Sequence, residues 1–66
     1  MTVARITEIS SISSTSFEDA IKQGVARANQ TLKNVKGAWV KDQEVTIDNG
    51  QVTGYNVILK VTFVLQ

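Results

Sequence analysis

A chain of 66 residues with 7 basic and 6 acidic side chains carries a net charge of +1, which gives no global pull toward nucleic acid or an anionic membrane. The absence of Cys, His and Pro excludes disulfides and the common zinc arrangements, and leaves little material for acid–base or thiol catalysis. So short a chain buries only about 60% of the surface its unfolded form exposes, and association with other chains is the stabilising device left to it.

An apolar fraction of 42% and a charged fraction of 20% describe one folded domain, residues 1–66. The opening "MTVARITEIS" lacks the continuous apolar core of a signal peptide, and no run approaches the roughly 20 apolar residues of a membrane span. The expected compartment is the cytoplasm, and no membrane partner is expected.

Thr2 to Ser11 mixes β-branched and polar residues as a partly exposed strand does. Ile6 and Ile9 are three apart, so either a bulge intervenes or both faces are covered. The polar run "SSISSTS" reads as a connector into a helix that starts near Phe17. Thr15 with Glu18, or Ser16 with Asp19, supplies its capping box. Phe17, Ile21, Val25, Ala28, Leu32 and Val35 then recur at helical spacing as one apolar stripe, with the small Ala20 and Gly24 beside it. Gly37, after Lys33 and Lys36, is the expected terminator.

Two long strands follow, joined at Asn49-Gly50, the preferred pair of a two-residue type I′ hairpin loop. In the last strand Tyr55, Val57, Leu59, Val61, Phe63 and Leu65 share one face without a break, and that face is core. A two-residue loop sets Asp48 opposite Gln51, Gln43 opposite Asn56 and Trp39 opposite Lys60, which places Trp39 and Asn56 on the face away from the helix. A bulge would change that result. Strand, helix, strand, strand makes an α+β fold with a three-stranded sheet covered on one side by one helix. Trp39, Val45, Ile47, Val52, Ile58 and Val64 are assigned to the uncovered side, which is apolar enough to meet other subunits.

Carboxylates offer little toward catalysis, and no catalytic residue is assigned. Asp42 and Glu44 lie two apart on one strand and share a face; as a pair they fall short of a full calcium shell. Trp39, Lys41 and Lys60 share a face, a sparse version of the basic and aromatic surface that binds nucleic acid, and a subunit contact explains them better. Packing is likewise the commoner role of an isolated Trp.

Three stretches together are more specific: "RITEI" in the first strand, "STSFEDAIKQGVARANQTLKNV" in the helix and "YNVILKVTFVL" in the last strand. With the Ser-Phe helix start, Ala20, the "ARA" of residues 26 to 28, Thr31, Asn34 and Val35, the whole chain resembles the dodecins. The resemblance implies a strand-helix-strand-strand subunit whose antiparallel sheet wraps around its helix, and a hollow shell of twelve copies. It also implies a non-enzymatic protein that stores or sequesters a flavin (riboflavin, FMN or FAD). In the family's usual pattern a Trp from each of two symmetry-related subunits flanks a stacked flavin pair, and a Gln of the last strand bonds the ring's polar edge. Here Gly37 of "NVKGAWV" stands at the stacking position, Trp39 stands where Glu is usual, and Asn56 of "GYNV" matches the Gln. Trp39 and Asn56 are thus the expected flavin contacts, with Gly37 leaving room where the usual indole stood. The alternative is a flavin-free assembly of the same kind, with Trp39 packed between subunits and an ion or other small ligand held through Asp42 and Glu44.

Overall fold

The computed structural model describes residues 2–65; the two ends of the expected domain, residues 1 and 66, lie outside the described residues. Four elements follow in order: β1 (Ala4–Ser13), α1 (Phe17–Thr31), β2 (Val35–Asp48) and β3 (Gln51–Val64). The strands form one antiparallel sheet in the order β1-β3-β2.

Alternation unbroken from Tyr55 to Phe63 accompanies β3's place at the centre. Val57, Leu59 and Val61 are fully buried beneath the helix, while the residues between them face the other side. The helix meets them along Ala20, Gly24 and Ala28, its buried line. Phe17, Ile21, Val25 and Leu32 lie partly buried around this cluster. The expected stripe is therefore split, with small residues over the sheet's centre and large ones at the margins, because only short side chains allow the helix axis so near the strands. Phe17 meets Tyr55 edge to face at 5.1 Å between ring centroids.

Ser16 is the N-cap: its hydroxyl accepts from the Asp19 N–H at 3.0 Å. The connector is shorter than expected, because β1 runs on through Ser13. That buried serine donates to Asp19 Oδ2 at 2.6 Å and accepts from the Thr15 N–H at 2.9 Å, tying strand end to helix start. The β1–β3 ladder has no register shift, so Ile6 and Ile9 face opposite sides of the sheet.

At the other end the helix stops earlier than its apolar spacing implies. Leu32 is extended, its N–H bonded to the Ala28 carbonyl at 2.8 Å, and Asn34 takes a left-handed φ of 61°. Asn tolerates that conformation, and the β-branched Val35 continues as strand. Val35 is thus a strand residue opposite Phe63, and Gly37 sits inside β2 opposite Thr62 rather than ending the helix. Lys33 and Lys36 fall outside the helix, whose last turn has no basic residue.

The hairpin turns at Asn49 (φ 53°) and Gly50 (φ 76°), both left-handed as a type I′ loop requires. Asp48 faces Gln51 and Trp39 faces Lys60, as expected. Between these points the register leaves and returns. Thr53 is an extra residue on β3, its hydroxyl bonded to the Thr46 carbonyl at 3.3 Å, and Lys41 is an extra residue on β2. The two irregularities cancel at Trp39 but not between, so Gln43 faces Val57 rather than Asn56, and Glu44 takes the place opposite Asn56. Val45 likewise faces Tyr55 on the helix side, not on the open side where simple alternation puts it.

Strands of 14 residues are about 46 Å long and a helix of 15 about 22 Å, so α1 covers roughly half of the hairpin. The chain measures 51 × 19 × 14 Å, and its radius of gyration of 13.5 Å exceeds the ~10.8 Å of a compact chain of this length. Ile47 and Val52 stand exposed near the uncovered end.

Candidate functional site

The sheet face turned away from the helix is built from alternate residues of all three strands. Across β1, β3 and β2, one row reads Glu8, Lys60, Trp39; the next reads Ser10, Ile58, Asp42; a third reads Ile12, Asn56, Glu44. The extra residue at Lys41 makes this possible. Had β2 alternated from Trp39 without interruption, Asp42 and Glu44 would point to the helix side. The bulge turns both carboxylates onto the face that carries Trp39 and Asn56.

Ser10, Ile12, Asp42, Glu44, Asn56 and Ile58 line a shallow depression of about 450 Å³ on this face. Trp39 stands one row beyond it and is 61% exposed. Asn56 directs its Nδ2 to Thr46 Oγ1 at 3.4 Å, while its Oδ1 is buried with no hydrogen-bond donor among the described residues. A buried acceptor left unbonded costs about 1–3 kcal/mol. At Gly37 a β-carbon would meet nothing within 4 Å, so the sheet surface there is open.

All three expected contacts therefore share one face, but they are strung along it. Trp39 lies opposite Lys60, four residues and about 13 Å along β3 from Asn56, and Gly37 lies opposite Thr62, two residues further. Within one protomer the indole and the amide do not meet.

Lys41 extends from the bulge across the central strand and meets Glu8 Oε1 at 3.2 Å. It shares the face of Trp39 and Lys60, as expected, but its charge is directed to β1. Both partners are about half exposed, and such a pair contributes about 0–1 kcal/mol.

Sequence reasoning does not reach Thr46 and Ser10. Thr46 follows from the irregularity at Thr53, and its one signal in the sequence is Gly54, since a glycine inside a strand often marks a bulge. Lys41 carries no such mark. Among the described residues there is no group of three or more acidic side chains placed to hold a metal ion, so Asp42 and Glu44 stand as a pair.

Residues 3–66 match the family model described as Dodecin. The chain belongs to the dodecin family. Calcium dodecin from Mycobacterium tuberculosis is 30% identical over 63 residues, which span 96% of this chain and 89% of that one. The fold is that of dodecin from Streptomyces davaonensis, at a TM-score of 0.93 and 32% identity over 98% of this chain and 96% of that chain. A tryptophan-to-phenylalanine variant of the dodecin from Thermus thermophilus superposes equally well, at 0.93 and 33% identity over 100% of this chain and 98% of that one. The calcium-chelating calcium dodecin structure matches less closely, at 0.83 and 29% identity over 97% and 91% of the two chains. This dodecin thus has the family's strand-helix-strand-strand subunit and no helix long and apolar enough to cross a membrane among its described residues.

Proposed function

We propose that this dodecin is the subunit of a homododecamer that binds a flavin and stores or sequesters it in the cytoplasm without catalysing a reaction. The observation that carries the reading is the pairing of an exposed indole, Trp39, with the unbonded amide oxygen of Asn56 on one sheet face that the helix leaves open. An indole stacks on a flat electron-poor ring, and an amide offers an acceptor and two donors to a heteroaromatic edge. The residues fit such a ring with one condition. The indole and the amide are about 13 Å apart along the sheet, so the site is completed across a subunit boundary, with Trp39 from one copy and Asn56 from another. Gly37 adds clearance beside the indole.

Self-association has independent physical support: the elongated protomer leaves half of its hairpin uncovered and exposes Ile6, Ile12 and Val40. Riboflavin and FMN titrated into the purified protein test the ligand, with flavin fluorescence as the signal. Quenching at micromolar flavin is expected, and flavin emission unchanged by saturating protein overturns the reading. Mass measurement tests the assembly, where a particle near twelve times 7.2 kDa is expected and a stable monomer contradicts it.

A second reading is a flavin-free shell that binds a divalent cation. What favours it is the bulge at Lys41, which brings Asp42 and Glu44 to the side of Asn56, together with the calcium-chelating relative. Oxygen ligands from these side chains suit calcium, though a full shell of six to eight needs water or a second subunit. Calorimetric titration with calcium, on protein that leaves flavin fluorescence unchanged, would establish it.

A further inference from the structure

Resting on the flavin reading above, we infer that Lys60 makes the Trp39 site selective for an anionic flavin, one bearing a phosphate such as FMN, over neutral riboflavin. Lys60 is the direct cross-strand partner of Trp39 on the open face, and opposed residues on one sheet face have β-carbons about 5 Å apart. An ammonium on a four-carbon stem therefore works within reach of whatever covers the indole. Its other cross-strand neighbour, Glu8, would ordinarily neutralise it. Here Glu8 is engaged by Lys41 instead, at 3.2 Å across the full width of the sheet. Lys60 makes no ion pair among the described residues.

The next acidic side chains on this face are Asp42 and Glu44, one and two rows away toward Asn56. The face is thus polarised along its length, positive beside the indole and negative beside the amide. A flavin whose ring stacks on Trp39 is offered a cation at the indole end and carboxylates at the other, so a phosphate tail is favoured at the Lys60 end only. Half-burial of Lys60 strengthens the effect, because a partly desolvated ammonium gains more from an anion than a fully hydrated one.

The test titrates riboflavin and FMN separately into the wild-type assembly and into Lys60→Gln, following flavin fluorescence. FMN is expected to bind roughly tenfold more tightly than riboflavin to the wild type, the scale of one charge-assisted hydrogen bond. The preference should weaken as salt is raised. In Lys60→Gln the two flavins should bind alike, with riboflavin affinity unchanged. Glu8→Gln is the second variant. Paired with Lys41→Gln, it removes the Glu8–Lys41 ion pair while leaving Lys60 in place, and the FMN preference should persist; its loss assigns the selectivity to Lys41 and overturns the proposal. Equal binding of both flavins to the wild type, or a preference that survives Lys60→Gln, overturns the role of Lys60 and leaves flavin binding standing. Binding of neither flavin removes both readings together.

Discussion

Gly24 of the helix lies so close to Leu59 of the central strand that a β-carbon at position 24 would stand 3.0 Å from the Leu59 Cδ1 and 3.2 Å from the Ser11 β-carbon. Leu59 is fully buried between Val57 and Val61 on the same strand face, so displacing it disturbs the core. Two effects oppose each other in Gly24→Ala. Helix propensity favours Ala by about 1 kcal/mol, while overpacking a filled core costs about 1–3 kcal/mol. Because the Leu59 methyl is a side-chain end packed inside the core, with the Ser11 β-carbon closing the other side, the clash should win. Thermal unfolding of Gly24→Ala should show a lower midpoint than wild type; an increase would mean the helix can lift off the sheet without loss.

Glycines elsewhere answer to different demands, and substitution separates them. Gly50 holds φ 76° in the hairpin loop, where an L-residue costs about 1–2 kcal/mol, so Gly50→Ala should destabilise by that amount. Gly37 lies inside β2, where an added β-carbon would have nothing within 4 Å, and Gly37→Ala should leave protomer stability unchanged or slightly raised. Denaturant midpoints of the two variants should therefore differ clearly. Loss of stability in Gly37→Ala would show that a neighbouring subunit fills the open space there.

Ser13 and Ser16 share the helix start through Asp19. The Asp19 carboxylate accepts from Ser13 Oγ at 2.6 Å and from Gln23 Nε2 at 2.6 Å, while its N–H donates to Ser16 Oγ at 3.0 Å. Removing the cap in Ser16→Ala should cost about 1 kcal/mol. Ser13→Ala should cost more, about 1–3 kcal/mol, because Ser13 is buried and its loss strands the Thr15 N–H as well. Since both act on one residue, the double variant should depart from the sum of the singles by more than about 0.5 kcal/mol. Strict additivity in a double-mutant cycle would break this link.

The same residues show how much of the fold is legible in the chain itself. Period-two alternation in β3, the Asn49-Gly50 loop and the Ser16 cap are local signals, each carried by a few adjacent residues, and all three appear in the structure. Apolar spacing misplaces the helix end because Leu32 and Val35 continue a helical period although the chain has already turned at Asn34, and periodicity cannot see a single left-handed residue. The face of Trp39 agrees with simple alternation only because two irregularities cancel. Bulges at Lys41 and Thr53 arise from the mismatch of long twisted strands, a tertiary effect with little local signature. For that reason the position of Asp42 and Glu44 beside Asn56 is not legible in the sequence, while the shared face of Trp39 and Asn56 is.

Trp39→Ala separates stacking from packing. With 61% of its surface exposed in the protomer, the indole contributes little to the subunit's own core. If it stacks on ligand, Trp39→Ala should abolish flavin quenching while leaving particle mass intact. Dissociation of the particle, with flavin binding lost only as a consequence, would instead assign the indole to the contact between subunits. Light scattering and flavin fluorescence on the same preparation distinguish the two.

Asn56→Val tests whether the unbonded amide oxygen is held for a ligand. Valine is close in volume, suits a strand and removes a buried acceptor that lacks a donor. Among the described residues, the only side-chain bond lost is the long 3.4 Å contact to Thr46. Stability of the ligand-free protein should rise by about 1 kcal/mol, since an unsatisfied buried group is deleted. Flavin affinity should fall by roughly tenfold at the same time, the trade expected where a binding group is kept at a cost to the fold. A drop in ligand-free stability would show instead that assembly supplies the Asn56 oxygen with a donor from a neighbouring subunit, making the amide a structural contact.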